Sequence, residues 1–158
     1  MPSKGKKSTK KAAQKDKAMT EMEVVGVTPE QNSGRPVVWL KGKDQEIFLP
    51  IAIGPFEANA ICMALYNEPP PRPITYDLLR SILDGVKIQI NQVRIHAWRE
   101  GTFYGEIALS QGRKRLVVDA RPSDGIALAL RVGAPIFSAD EVLEAVGVKK
   151  MAEKTTKK

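Results

Sequence analysis

Residues 117–132, VVDARPSDGIALALRV, constrain the fold more than any other stretch of the chain. Val117 and Val118 are β-branched and apolar, as the buried end of a strand prefers. Pro122 suits the first position of a helix, where its missing N–H costs nothing and its φ is already set. Arg121 is then the N-cap and Asp124 the third helical residue. Residues 126–130 are apolar on every side, the pattern of a helix buried all round. Asp119, Arg121, Ser123 and Asp124 therefore fall at a junction between two buried elements. Two carboxylates and a guanidinium in such a place are either tightly paired or functional.

A chain of 158 residues, 42% hydrophobic, can form one domain with a real core. The one cysteine, Cys62, excludes an intramolecular disulfide and a cysteine-based zinc site. The one histidine, His96, excludes multi-histidine metal ligation. No apolar run approaches the ~20 residues of a membrane helix, and the N-terminus lacks a secretory apolar segment. The expected location is the cytoplasm. The net charge of +7 does not belong to the fold: residues 1–18 carry +6 and residues 149–158 carry +4, which leaves −3 for 19–148. One domain over 19–148 is expected between two Lys-rich tails, 1–18 and 149–158, that have too little apolar surface to fold. The tails either aid solubility or give a loose, salt-sensitive grip on phosphates.

In order, strands are expected over 21–28, 37–41 and 46–53, with Pro50 marking the third as an edge or a bulge. A helix opens at Gly54-Pro55-Phe56-Glu57. Residues 67–73, NEPPPRP, form a stiff extended linker with Arg72 at its tip. Thr75 is read as the cap of a short helix that ends at Gly85. The longest strand, 86–98, shows a slip of phase near Asn91-Gln92 that a β-bulge would produce. A three-residue loop, Arg99-Glu100-Gly101, then sets His96 opposite Tyr104 and Arg94 opposite Glu106. Strands over 102–110 and 115–119 lead into the junction, and a short strand at 135–137 and a helix over 140–146 follow it.

Residues 53–58, IGPFEA, align with residues 120–125, ARPSDG, with Pro matching Pro and Glu57 matching Asp124. Each segment follows three strands and opens an apolar helix. The fold class read from this is α+β: internally duplicated β3-α units forming a mixed or antiparallel sheet packed by helices.

RPSDGIALALR followed by APIF, together with IAIGPFEANAI, GTFYGEIAL and the PRP-x-T-x-DLL pattern of residues 71–79, resembles the bifunctional nuclease family. The similarity runs from about residue 22 to 146. The resemblance implies an α+β fold with internal duplication, self-association as a dimer or larger homo-oligomer, and nuclease activity on DNA and RNA. It also implies two departures. The family commonly has histidine where this chain has Tyr76, and alanine where it has Gly125.

Phosphodiester hydrolysis needs a positioned water, a means to deprotonate it, and positive charge against the transition state. A divalent metal, Mg²⁺ or Mn²⁺, on carboxylates supplies the first two. Asp119, Asp124 and Glu57 are the candidate ligands, and with Arg121 they form the candidate catalytic set. Arg72, Arg131, Arg113, Lys114 and Arg115 are the candidate phosphate contacts, because guanidinium binds phosphate bidentately. Each has a plainer reading. Asp124 and Glu57 at third helical positions can simply cap free N–H groups. Asp119 and Arg121 can be a structural pair, and Arg113-Lys114-Arg115 a solvated hairpin. Ser123 reads as a first-turn helix residue, His96 as a sheet-face residue, Arg94 and Glu106 as a cross-strand pair, and Trp39 and Trp98 as packing. The sequence reading is a nuclease using a divalent metal; its rival is a non-catalytic, oligomeric module that binds a ligand or nucleic acid.

Overall fold

The computed structural model describes residues 17–151. Most of the expected tails, 1–16 and 152–158, lies outside them. Lys17 is described and is anchored: its ammonium reaches Glu141 Oε1 at 2.5 Å and the His96 carbonyl at 3.2 Å.

The elements in order are β1 (Met19–Pro29), β2 (Pro36–Gly42), β3 (Phe48–Ala52), α1 (Pro55–Leu65), α2 (Thr75–Gly85), β4 (Gln89–Arg99), β5 (Thr102–Gln111), β6 (Lys114–Ala120), α3 (Pro122–Val132), β7 (Ile136–Ala139) and α4 (Asp140–Val146). The strands form one mixed seven-stranded sheet in the order β3-β2-β1-β7-β4-β5-β6. Two antiparallel trios flank β7, which pairs antiparallel with β1 and parallel with β4. Each trio runs into a helix that starts with proline, Pro55 or Pro122. A common origin for the two trios is not shown by this topology alone.

Hydrophobic alternation explains how the layers stack. Val38 and Leu40 on β2, Leu49 and Ile51 on β3, Val93 and Ile95 on β4, and Ile107 and Leu109 on β5 are all buried. Their period of two places one face of the sheet against the helices. Helix α3 packs on β4 and β5, α1 packs on β1 and β2, and the two helices pack on each other. Of the apolar run 126–130, residues 126–129 are buried and Leu130 is partly so. Gly133, at φ 70°, ends α3 in the left-handed conformation. Pro50, which cannot donate to a ladder, sits on the edge strand β3 opposite Trp39.

Five local expectations change. The N-cap of α2 is Ile74, not Thr75: its N–H donates to Asp77 Oδ2 at 2.9 Å, so Asp77 caps the helix. The chain leaves α2 through Lys87, at φ 58°, rather than turning at Gly85. The bulge at Asn91 is present, but a second irregularity falls between Ile95 and Ala97. Arg99 pairs with Thr102, so the hairpin loop is only Glu100-Gly101, with φ 50° and 78°, and Ala97 rather than His96 faces Tyr104. Positive φ at both central residues is the two-residue turn that matches strand twist. Arg94 does face Glu106, and the two form an ion pair at 2.8 Å.

The last change concerns β6. Val117 and Leu116 are exposed, because β6 is the outermost strand and not a buried one.

Candidate functional site

Three acids occupy the third position of a helix: Glu57 in α1, Asp77 in α2 and Asp124 in α3. Only Asp77 caps. Neither α1 nor α3 has a side-chain cap hydrogen bond, so capping does not explain Glu57 or Asp124. Both acids turn instead to Arg121. Its Nε donates to Asp124 Oδ2 at 2.8 Å and its Nη2 to Asp124 Oδ1 at 2.9 Å, a bidentate clasp. Nη2 also donates to Glu57 Oε1 at 3.1 Å. Tyr76, from α2, donates its hydroxyl to Asp124 Oδ1 at 2.7 Å. Four residues from three helices thus form one connected cluster.

Local structure sets this arrangement. A side chain at Gly105 would press its Cβ to 2.8 Å from the Ala120 carbonyl, so glycine there lets β5 approach the turn from β6 into α3. Gly54 serves similarly, since a Cβ on it would collide with Glu57 Oε2. The contact of α1 with α3 then brings their first turns together.

The electrostatics follow from the hydrogen bonds. Burial pushes the Asp124 carboxyl up, but donation from Arg121 and Tyr76 outweighs it and holds the group below its ordinary 3.8. Arg121 is held above its ordinary value, first by its hydrogen bonds to Asp124, so it stays cationic. Burial, then the bond to Asp124, pushes the Tyr76 phenol well above its ordinary 10. Tyr76 is therefore a donor and not a base at neutral pH. The Arg121 side chain is 64% exposed, so the guanidinium meets solvent while its far side is held.

Asp119 does not join this cluster. Val118 and Ala120 pack against the core, so strand alternation turns Asp119 to the opposite face of the sheet, where it is exposed and registers with Glu106. Among the described residues no three or more His, Cys, Asp and Glu side chains gather closely enough to hold a metal ion. The Arg121 guanidinium also fills the space between the Glu57 and Asp124 carboxylates. As arranged, Asp119, Asp124 and Glu57 do not fit a shared divalent ion.

The expected phosphate contacts divide. Arg131 is buried and engaged: its side chain is 5% exposed and its donors reach Asp77 Oδ1 at 2.9 Å, the Ala127 carbonyl at 2.8 Å and the Ala60 carbonyl at 3.2 Å. Its guanidinium also lies over the Tyr76 ring, 5.4 Å from the centroid. It ties the three helices together. Arg72 is exposed in the proline linker just before α2. Arg113, Lys114 and Arg115 are exposed at the far end of β6. Six residues of strand separate Lys114 from Ala120, roughly 20 Å. A cavity of about 390 Å³ lies beneath the linker, but Asp77 and Arg131 within it are already paired.

Two residues of the site were not among the sequence candidates. Tyr76 was notable only as a departure from a family pattern. Arg35, in the loop between β1 and β2, carried no local signal at all. It lines a cleft of about 290 Å³ together with Gly54, Arg121 and Ser123.

A family model described as the bifunctional nuclease domain matches residues 38–151. Two uncharacterized proteins of Mycobacterium tuberculosis, from strains CDC 1551 / Oshkosh and ATCC 25618 / H37Rv, are each 41% identical over 130 residues. These cover 82% of this chain and 77% of theirs. A protein of Oryza sativa subsp. japonica named Bifunctional nuclease 2 is 26% identical over 110 residues, 67% of this chain and 34% of that protein.

Proposed function

Because the chain belongs to the bifunctional nuclease domain family, we propose that it hydrolyses phosphodiester bonds in DNA and RNA at the cluster of Glu57, Arg121, Asp124 and Tyr76. One observation carries the reading: a solvent-facing arginine is clasped by two carboxylates that cap nothing. A guanidinium fixed in this way meets phosphate without reorganising, which is how charge developing in a transition state is stabilised. Asp124 orients Arg121, and Tyr76 orients Asp124. Glu57 is the candidate base for the attacking water, since only its Oε1 is taken by Arg121. Arg72 sits close in sequence to Tyr76 and would contact the strand near the cluster. Arg113, Lys114 and Arg115 would meet phosphates further along it.

The test is cleavage of labelled single-stranded and duplex DNA and RNA by the wild type, Glu57→Gln, Asp124→Asn and Asp119→Asn, with Mg²⁺, with Mn²⁺ and with chelator. Loss of cleavage in the first two variants, with Asp119→Asn active, is the expected result. Equal cleavage by all four proteins would move the activity elsewhere. Binding without cleavage by any of them would make the chain a non-catalytic nucleic-acid-binding module. A chelator arm that abolishes cleavage would show that a metal enters by a route other than the three carboxylates. Self-association belongs to the same reading: Leu78, Ile82 and Val86 form an exposed stripe at helical spacing on and just beyond α2, which has no buried residue. Sedimentation of the wild type beside Leu78→Glu checks it.

A further inference from the structure

We propose that the cleft beside Arg121 binds the terminal phosphate of a nucleic-acid strand, a phosphomonoester dianion. The proposal rests on the nuclease reading only for what carries the phosphate. The cleft lies between the start of α3 and the end of β3 with the following Gly54, with the β4–β5 hairpin on one side and Arg35 of the β1–β2 loop on another. Arg35 and Arg121 are the charged residues that line it; Glu57 and Asp124 do not. Both guanidinium groups offer donors to the cleft, although the charge of Arg121 is offset on its inner side by Glu57 and Asp124. Helices α1 and α3, 11 residues each, start without a side-chain cap. Of the two, α3 brings its first turn to the cleft with its free N–H donors, whereas α1 reaches it only with its N-cap Gly54.

Ser123 is a second and independent pointer. It is 6% exposed, yet it lines the cleft, and its hydroxyl has no hydrogen-bond partner among the described residues. The oxygen is not a buried atom left unsatisfied: what little of the residue is exposed opens onto the cleft, where a phosphate oxygen could accept from it. The Arg35 guanidinium also has no partner among the described residues. Two guanidinium groups, a hydroxyl and the start of α3 converge on a space of about 290 Å³. That is at the small end of ligand pockets, which run roughly 300–1,000 Å³. It suits a phosphate with its sugar and not a run of strand. The number of donors selects among phosphates: a phosphomonoester offers three unesterified oxygens to Arg35, Arg121 and Ser123, whereas an internal phosphodiester offers two.

The experiment is calorimetric titration of the full chain with adenosine 5′-monophosphate, adenosine 3′-monophosphate, adenosine and inorganic phosphate. None contains a phosphodiester, so cleavage does not enter the readout. One monophosphate at least should bind, and adenosine should not. Arg35→Ala and Ser123→Ala, each checked for an unchanged urea midpoint, should weaken that binding about tenfold. Binding should strengthen from pH 5 to pH 7 as the second phosphate proton leaves, with a pKa of about 6. Monophosphates that bind no better than adenosine, or that bind both variants as tightly as wild type, would overturn the proposal. Inorganic phosphate binding as tightly as either monophosphate would also overturn the strand-end assignment and leave a free-phosphate site. Tight monophosphate binding by a protein that cleaves nothing would keep this proposal and remove the nuclease reading alone.

Discussion

Replacing Arg131 with methionine separates the two roles open to that residue. Methionine keeps an apolar stem of similar length and removes the guanidinium. Three hydrogen bonds are lost, to Asp77 Oδ1, Ala127 O and Ala60 O. The two carbonyls sit inside α3 and α1, where backbone N–H groups four residues on already satisfy one lone pair. Their loss is therefore small. Asp77 loses a charged partner but keeps the Ile74 N–H and is 31% exposed, so water partly replaces the arginine. Removing one member of a buried pair costs about 3–5 kcal/mol, and these two mitigations put Arg131→Met near the lower end, about 3 kcal/mol. The contact with the Tyr76 ring adds about 0.5–1 kcal/mol. With an m-value of about 2 kcal/mol/M, the urea midpoint should fall by roughly 1.5–2 M. Far-UV circular dichroism reads the midpoint, and nucleic-acid affinity is measured at low urea, where the variant is still folded. Affinity should change little. An unchanged midpoint with a clear loss of affinity would refute the reasoning and return Arg131 to substrate binding.

Gly125→Ala should destabilise the protein, because a Cβ there lies 2.6 Å from Val93 Cγ1. Overpacking costs about 1–3 kcal/mol against a helix-propensity gain of about 0.5–1 kcal/mol, and a raised midpoint would contradict this. Asp124 and Asp77 both titrate below their ordinary 3.8 when folded. Depressed carboxyls stabilise above the unfolded value and lose that contribution as pH falls through the folded one. Urea midpoints should thus be flat with respect to these groups from about pH 5 to 8 and fall below about pH 4, with Asp124→Asn showing a shallower acid slope; an equal slope in that variant would count against the clasp. Phe56, 86% exposed in the first turn of α1, should stack an unpaired base beside the cleft. Phe56→Ala should weaken single-stranded binding by about 1–3 kcal/mol with duplex binding less affected, as read by fluorescence anisotropy; equal losses on both would remove the stacking role.

What the sequence could and could not disclose about the site comes down to the range of each determinant. The N-cap at Arg121, the third-position acids, the edge placement of Pro50 and the bulge at Asn91 are local, and each was legible from a few adjacent residues. Asp119 failed on parity. Residues 116–118 read equally well as a strand buried on both faces or as an edge strand, and only the sheet order decides that Val118 turns in while Val117 and Asp119 turn out. His96 failed on a single count: a two-residue hairpin loop in place of three moved Ala97 opposite Tyr104. Arg131 at position nine or ten of an apolar helix looks like a solvent-seeking arginine until α2 and α1 deliver Asp77 and Ala60 to it from 54 and 71 residues away. Arg35 is the extreme case, since nothing in QNSGRP marks it and only the fold sets it in one cleft with Arg121 and Ser123. Glu57 and Asp124 each stand third in a helix that opens with proline after three antiparallel strands, and the packing of α1 on α3 brings both to Arg121. The residue that makes this juxtaposition tolerable is Arg121, because two carboxylates at the starts of adjacent helices repel without a shared cation. In this chain that cation is a side chain, and its exposed side is where the proposed phosphate chemistry would act.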